Sequence, residues 1–208
     1  MNSRTNLNYV RQNSKLSIIH HQRMKEIKQV VKEFLINKIR WLLKLILPIQ
    51  RRWREGIKGY PWFDEVWNDL YIGGVPYKKA DYLWIVENDI RAVLNITSEW
   101  LDDTDFYNRN NISHLNIPVK DLAAPSQEHL GEAVRYIRKH INRGEKILVH
   151  CAKGRGRSAT MICAYLAQTI NKTPLQVISE MKKIRPLVSM NEKQIESVTE
   201  YLDKNDQA

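Results

Sequence analysis

Hydrophobic and polar positions follow two different periods along this chain. From Gln29 to Leu47 the apolar residues Val30, Val31, Phe34, Leu35, Ile36, Ile39, Trp41, Leu42, Leu43, Leu45, Ile46 and Leu47 fall on one wide helical face. Glu33, Asn37, Arg40 and Lys44 recur at 4-3-4 spacing and form a single polar stripe. That pattern predicts an amphipathic helix. Pro48 is expected to end it, and Arg51, Arg52 and Arg54 follow. From about Tyr60 the pattern changes to short apolar runs. Leu70–Ile72 (closed by Gly73 and Gly74), Ala92–Ile96, His114–Val119 and Lys146–His150 read as strands. Helices are predicted over Lys79–Glu87, from a Ser126 cap to Ile141 with Arg143-Gly144 as its stop, and over Arg157–Ile170. Another starts at a Thr173 cap with Pro174 in its first position. A last helix is entered through a Ser189/Glu192 capping-box pattern and ends near Leu202. Glu99–Asn111 is polar and reads as a loop, with Asp102, Asp103 and Asp105 solvated. Short strands alternating with helices make the class α/β.

Charge divides the chain. Residues 1–60 hold 14 Lys and Arg against 3 Asp and Glu, although the whole chain of 208 residues carries only +10. A nearly neutral domain therefore follows a basic arm, which suits an anionic partner. The first 25 residues contain no acid and read either as an unstructured basic tail or as an organellar transit segment. The expected division is a tail over 1–28, an amphipathic basic helix over 29–56 and a folded domain over 57–205. No apolar run reaches the roughly 20 residues of a membrane span. Residues 29–54 fit a helix lying in an anionic membrane surface, with Trp41 and the Lys/Arg side chains at headgroup level. Packing of that face on the domain, or on a second copy, is the alternative. Nucleic acid is not expected, since such an arm would not need so much apolar surface. With 43% hydrophobic and 27% charged residues the chain is not wholly disordered. Two cysteines, Cys151 and Cys163, make no disulfide framework and point to a reducing, intracellular compartment. Cys163, on the helix after the loop, is expected to be buried.

The chemistry concentrates in Val149-His150-Cys151-Ala152-Lys153-Gly154-Arg155-Gly156-Arg157-Ser158. This segment lies between a buried strand and a helix N-terminus. A loop of this length can curl so that the backbone N–H groups of Ala152, Lys153, Gly154, Arg155 and Gly156 point inward as an anion nest. The glycines permit the torsions, and the helix aims its positive end at the same point. Arg157 can return its planar fork to two oxygens of a bound phosphate. The same field is expected to depress the pKa of Cys151 and make it a thiolate ready to attack phosphorus. No His/Cys/Asp cluster has metal-ligand spacing, so neither metal nor cofactor is expected.

This segment resembles the His-Cys-x5-Arg-Ser/Thr signature of the protein tyrosine phosphatase superfamily, matched at His150, Cys151, Gly154, Arg157 and Ser158. Leu115–Ser126 looks like the general-acid loop of dual-specificity phosphatases, with Asp121 thirty residues before the cysteine. Trp62-Phe63 and Leu70-Tyr71-Ile72-Gly73-Gly74-Val75-Pro76 are similar to the start of the mitochondrial phosphatidylglycerophosphate phosphatase subgroup. Gly156 and the order Ala152-Lys153 depart from that subgroup. The resemblance implies a short twisted mixed sheet flanked by helices. It also implies a phosphocysteine route: Cys151 attacks, Asp121 is the acid and then the base, and Ser158 assists departure of the sulfur. His150 orients the loop. Lys153 and Arg155 at the mouth imply an anionic phospholipid phosphomonoester, such as phosphatidylglycerophosphate or a phosphoinositide. Phosphotyrosine, phosphoserine and phosphothreonine proteins stay open, as does a non-catalytic phosphate-binding membrane adaptor. Mitochondrion and bacterial cytoplasm both fit, with peripheral membrane association.

Overall fold

The computed structural model describes residues 22–25, 27, 28, 31, 38, 42, 45–57 and 59–206. Most of the predicted tail and most of the apolar face between 29 and 44, Trp41 included, lie outside these. The described residues before Leu45 are helical and exposed. Helix therefore begins ahead of Gln29, in a stretch rich in Gln, Arg, Met and Lys, which favour it. The chain divides into two compact units, 1–44 and 45–208. The second unit starts well before the expected boundary at 57. Its first helix, α1, covers residues 45–52 and runs into a π-helical turn, Trp53–Ile57. Pro48 thus sits inside a helix instead of ending it. Burial of Leu47, Arg51 and Arg54 on the domain offsets the lost backbone bond.

Five strands follow: β1 (Phe63–Trp67), β2 (Leu70–Gly74), β3 (Ile90–Thr97), β4 (Ser113–Val119) and β5 (Lys146–Cys151). Their order is β1-β2-β5-β3-β4. The first pair is antiparallel and the rest are parallel, so the sheet is mixed. Strand β1 escapes sequence reading because it is short and half exposed. It explains the glycines that read as a stop. A Cβ on Gly73 would strike the Phe63 ring and one on Gly74 the Trp62 ring, so β2 continues through both only because neither has a side chain. Trp62 is further fixed by its indole N–H, which donates to the Val75 carbonyl at 3.1 Å.

The helices are α2 (Lys79–Glu87), α3 (Thr104–Arg109), α4 (Gln127–Ile141), α5 (Arg157–Ile170), α6 (Pro174–Ile184) and α7 (Glu192–Asp206). Ala92, Leu94, Ile147 and Val149 face a core shared with α4, α5, α6 and α7. The alternate residues Val93 and Leu148 are equally buried and point to the other face, as strand periodicity requires. That face carries α2 and α3: Trp84 of α2 stacks on Phe63 of β1, and Tyr82 of α2 packs on Phe106 of α3. Two expectations are corrected here. Glu99–Asn111 is not a plain solvated loop: it contains α3, capped by Asp103, which accepts from the Phe106 amide at 2.9 Å. The last helix is capped by Asn191 and Gln194, not by Ser189 and Glu192. Asn191 Oδ1 accepts from the Gln194 amide at 3.0 Å, and Gln194 Oε1 from the Asn191 amide at 3.1 Å.

Candidate active site

Parallel pairing brings the C-terminal ends of β2, β5, β3 and β4 to one edge. Gly74 lies beside Cys151, and Asn95 beside His150. Open α/β sheets bind ligands at such an edge. A pocket of roughly 280 Å3 opens there. Its lining includes Asp121, Cys151, Lys153, Arg155, Arg157 and Gln194. Of the expected site residues, Ala152 and Gly156 also line it, Ser158 is buried beneath the sulfur, and Gly154 lies at the back of the loop.

The loop has the anion-nest form, and its carbonyls show how it is held. Val75 N–H donates to Ala152 O at 3.4 Å. Arg185 donates to Lys153 O at 3.4 Å and to Gly154 O at 2.7 Å. Ser189 N–H donates to Arg155 O at 3.0 Å. Four successive carbonyls are thus pinned outward. In a trans peptide the next N–H points the opposite way, so the amides of Lys153, Gly154, Arg155 and Gly156 turn to the pocket. Gly154 has φ +64°, and a Cβ there would collide with the Gly73 backbone and the Arg185 guanidinium. Both reasons require glycine.

Cys151 is 3% exposed, with Sγ 3.4 Å from Ser158 Oγ. Burial alone raises the pKa of this thiol. The Arg157 charge, the Ser158 hydroxyl and amide and the Arg155 amide more than offset that and bring it down to about 7. Cys163 has no such partners, and burial pushes it up to about 12. Alkylation by iodoacetamide should therefore rise with pH through a midpoint near 7 at Cys151, because only the thiolate reacts, while Cys163 stays inert. Ser158→Ala should move that midpoint upward. A profile unchanged in Ser158→Ala would contradict this account of the thiolate.

Arg157 is buried and serves as the hub. Nη1 donates to Glu99 Oε2 and to the Val119 carbonyl, both at 2.9 Å, and Nη2 to Glu99 Oε1 at 2.6 Å. Nη2 also lies 3.1 Å from Asp121 Oδ1. Among the described residues Nε has no hydrogen-bond partner. Burial pushes the Glu99 carboxyl up, yet the two bonds from Arg157 outweigh it and hold the group below its ordinary range. Asp121 is 67% exposed. Its loop is tied to the start of α7: Asn191 Nδ2 donates to Leu122 O at 2.9 Å, and Gln194 Nε2 to Ala123 O at 3.1 Å.

Several of these residues are invisible to motif reasoning. Glu99 and Arg185 carry no local signal beyond polarity, Asn191 and Gln194 only that of a helix start, and Asp102 reads as solvated. Instead, Asp102 is nearly buried and its Oδ2 lies 3.0 Å from His150 Nε2. His150 therefore ties the end of β5 to the segment after β3; among the described residues no hydrogen bond joins its ring to the phosphate loop. Among those residues, too, no group of three or more His, Cys, Asp or Glu is placed to hold a metal ion.

Residues 70–204 match the catalytic domain of the dual specificity phosphatases. The chain belongs to this family. It is a phosphatase. Phosphatidylglycerophosphate phosphatase PTPMT1 of Arabidopsis thaliana is 34% identical over 145 residues, 68% of this chain and 43% of that protein. Phosphatidylglycerophosphatase and protein-tyrosine phosphatase 1 of Rattus norvegicus is 27% identical over 148 residues, 67% of this chain and 76% of that protein. The chain thus spans less than half of the plant relative. The crystal structure of PTPMT1 superposes with a TM-score of 0.65 at 25% identity, covering 70% of this chain and 97% of that one. Tk-PTP in its active form gives 0.63 at 26%, covering 70% and 99%. The dual-specificity fold inferred from the signature is therefore the fold of this chain.

Proposed function

We propose that this dual-specificity phosphatase hydrolyses the phosphomonoester of an anionic phospholipid at a membrane surface, through a phosphocysteine. Cys151 Sγ attacks phosphorus in line while the bond to the leaving oxygen breaks, and Asp121 gives that oxygen its proton. The loop amides and Arg157 hold the three equatorial oxygens. Asp121 then takes a proton from water as the water attacks phosphorus. The P–S bond breaks, and Ser158 donates a hydrogen bond to the departing thiolate. The position of Asp121 in the pocket lining, with Oδ1 3.1 Å from Arg157 Nη2, supports that role.

The observation that carries the lipid reading is the pair Lys153 and Arg155 in the pocket lining. One phosphate already has Arg157, so two more cations fit a ligand with a second anionic group, as phosphatidylglycerophosphate has. The names of the plant and rat relatives agree with that class. The pocket rim adds apolar contact. Leu122, 75% exposed, and Leu101, 70% exposed, stand on the loops that follow β4 and β3. On α1, Leu45, Ile46 and Ile49 are exposed and extend the proposed membrane contact of residues 29–54. Arg51 and Arg54 do not share in it, being buried in ion pairs with Asp81 and Asp64. That is a correction to the expected headgroup role of those two side chains.

The test compares phosphatidylglycerophosphate and a phosphoinositide in vesicles with phosphopeptides, using the full chain. The lipids should be favoured in kcat/KM by at least about tenfold, a difference of ~1.4 kcal/mol in transition-state stabilisation, and more so in anionic than in neutral vesicles. Preference for peptides, with no dependence on vesicle charge, would support a protein phosphatase instead.

A further inference from the structure

Behind the phosphate loop one carboxylate serves two buried guanidiniums. Asp64 pairs with Arg185 Nη1, and its Oδ2 lies 3.3 Å from Arg54 Nη2. Arg185 is the residue that pins the Lys153 and Gly154 carbonyls. Arg54 comes from the π-helical turn after α1, ahead of the residues that define the family. It is 2% exposed. Its Nη2 also donates to the Pro61 carbonyl, but among the described residues Nε and Nη1 are buried with no hydrogen-bond partner. Its charge stands 5.4 Å from the centre of the Trp62 ring.

Neighbouring Arg51 shows what a satisfied arginine looks like here. It lies over the same ring but pairs with both Asp81 and Glu55. Around Arg54 the cations Arg185 and Arg155 act against the acids Asp64 and Glu55. Burial, then Arg185, push its pKa down to about 9, with Arg155 adding to the push. Arg185 is also lowered, by burial first and with Arg155 acting against it. Burying a charge that lacks full pairing costs several kcal/mol, so in the free protein this third guanidinium is a liability. Its link through Asp64 to Arg185, which holds two carbonyls of the anion cradle, gives it a use.

We propose that Arg54 is a positioning residue for oxyanion binding: through Asp64 and Arg185 it supports the phosphate loop, and it holds there a cation that a bound phosphate dianion neutralises. Arg54 and Asp64 thereby add to the site from residues ahead of the matched 70–204. This rests on the loop binding a phosphate dianion, and not on the substrate being a lipid. Coulomb attraction of this kind is strong where water is excluded. It acts alike on ground and transition states, so it should appear in KM rather than in kcat.

The experiment titrates inorganic tungstate, a tetrahedral oxyanion, into the full chain carrying Cys151→Ser, with and without Arg54→Gln. The glutamine keeps a donor for Pro61 but removes the charge. Tungstate affinity should fall about tenfold in Arg54→Gln and recover in Arg54→Lys. The unliganded Arg54→Gln protein should melt no lower than its parent. In the active enzyme the same change should raise KM and leave kcat within about twofold. A lowered melting temperature with unchanged tungstate affinity would overturn the proposal and make Arg54 purely structural. Should Arg54→Gln fail to fold, Arg54→Lys and Arg54→Met decide: equal tungstate affinities in the two would overturn it. If the Cys151→Ser parent itself binds no tungstate, the phosphate-site reading fails first, which separates the two failures.

Discussion

Serine in place of Cys151 will lower kcat on an aryl phosphate by on the order of 10^6, the scale on which a hydrolase loses turnover when its nucleophile is removed. The cause is specific to this site. The thiol reaches a pKa of about 7 only because Arg157, Ser158 and the loop amides stabilise its anion against burial. A serine hydroxyl starts several units higher, and the same field cannot bring it to neutrality. It is also a poorer leaving group, so the second step suffers as well. The cradle itself does not depend on sulfur: its carbonyls are held by Val75, Arg185 and Ser189. Cys151→Ser should therefore still bind tungstate, and without a thiolate to repel the dianion it should bind no more weakly. Turnover above about 1% of the parent would show that something other than Cys151 attacks phosphorus.

Replacing Arg157 with lysine will cost about 10^3 in kcat/KM, the upper range for loss of a donor to developing negative charge. Lysine keeps the charge but not the fork. In the free protein the guanidinium divides its donors among Glu99, the Val119 carbonyl and Asp121. One ammonium cannot meet all of these at once. Glu99, 7% exposed, would be left under-paired, and breaking a buried ion pair on one side destabilises by about 3–5 kcal/mol. A lower melting temperature should accompany the loss. Glu99→Gln, which keeps an acceptor for Arg157 without its charge, should lose less activity. An Arg157→Lys enzyme within tenfold of the parent would remove Arg157 from the centre of the mechanism.

Local segments were legible because their chemistry is contiguous. The loop from Cys151 to Ser158 reads as strand, nest and helix start, and its function follows from torsions and charges only seven residues apart. The Ser126 and Thr173 caps are equally local, and both bond as expected. Asp121 is proposed as the acid through the resemblance of the contiguous Leu115–Ser126 segment to a general-acid loop. The misses share the opposite property. Glu99 meets Arg157 across 58 positions, and Asp64 meets Arg185 across 121. Nothing near either acid in sequence marks it as a partner. Asp102, in a run of polar residues, has the composition of a solvated loop; it is nearly buried because β3 ends next to β5 and delivers it to His150.

The same contrast appears at the N-terminal side. Apolar periodicity predicted helix at residues 31, 38, 42 and 45–47, where the structure has it, and charge counting predicted a basic arm. Neither could say which arginines face water. Arg52 is exposed while Arg51 and Arg54 are buried, because Asp81 and Asp64 come from α2 and β1, elements that no helical wheel contains. By itself, then, the sequence determined the family, and it held the residues proposed as nucleophile, cradle and acid in two short segments. Only the tertiary structure decided what holds the cradle open. Those supports lie far apart along the chain, and hydrogen bonds and ion pairs between them exist only once a parallel sheet has carried its strand ends to one edge.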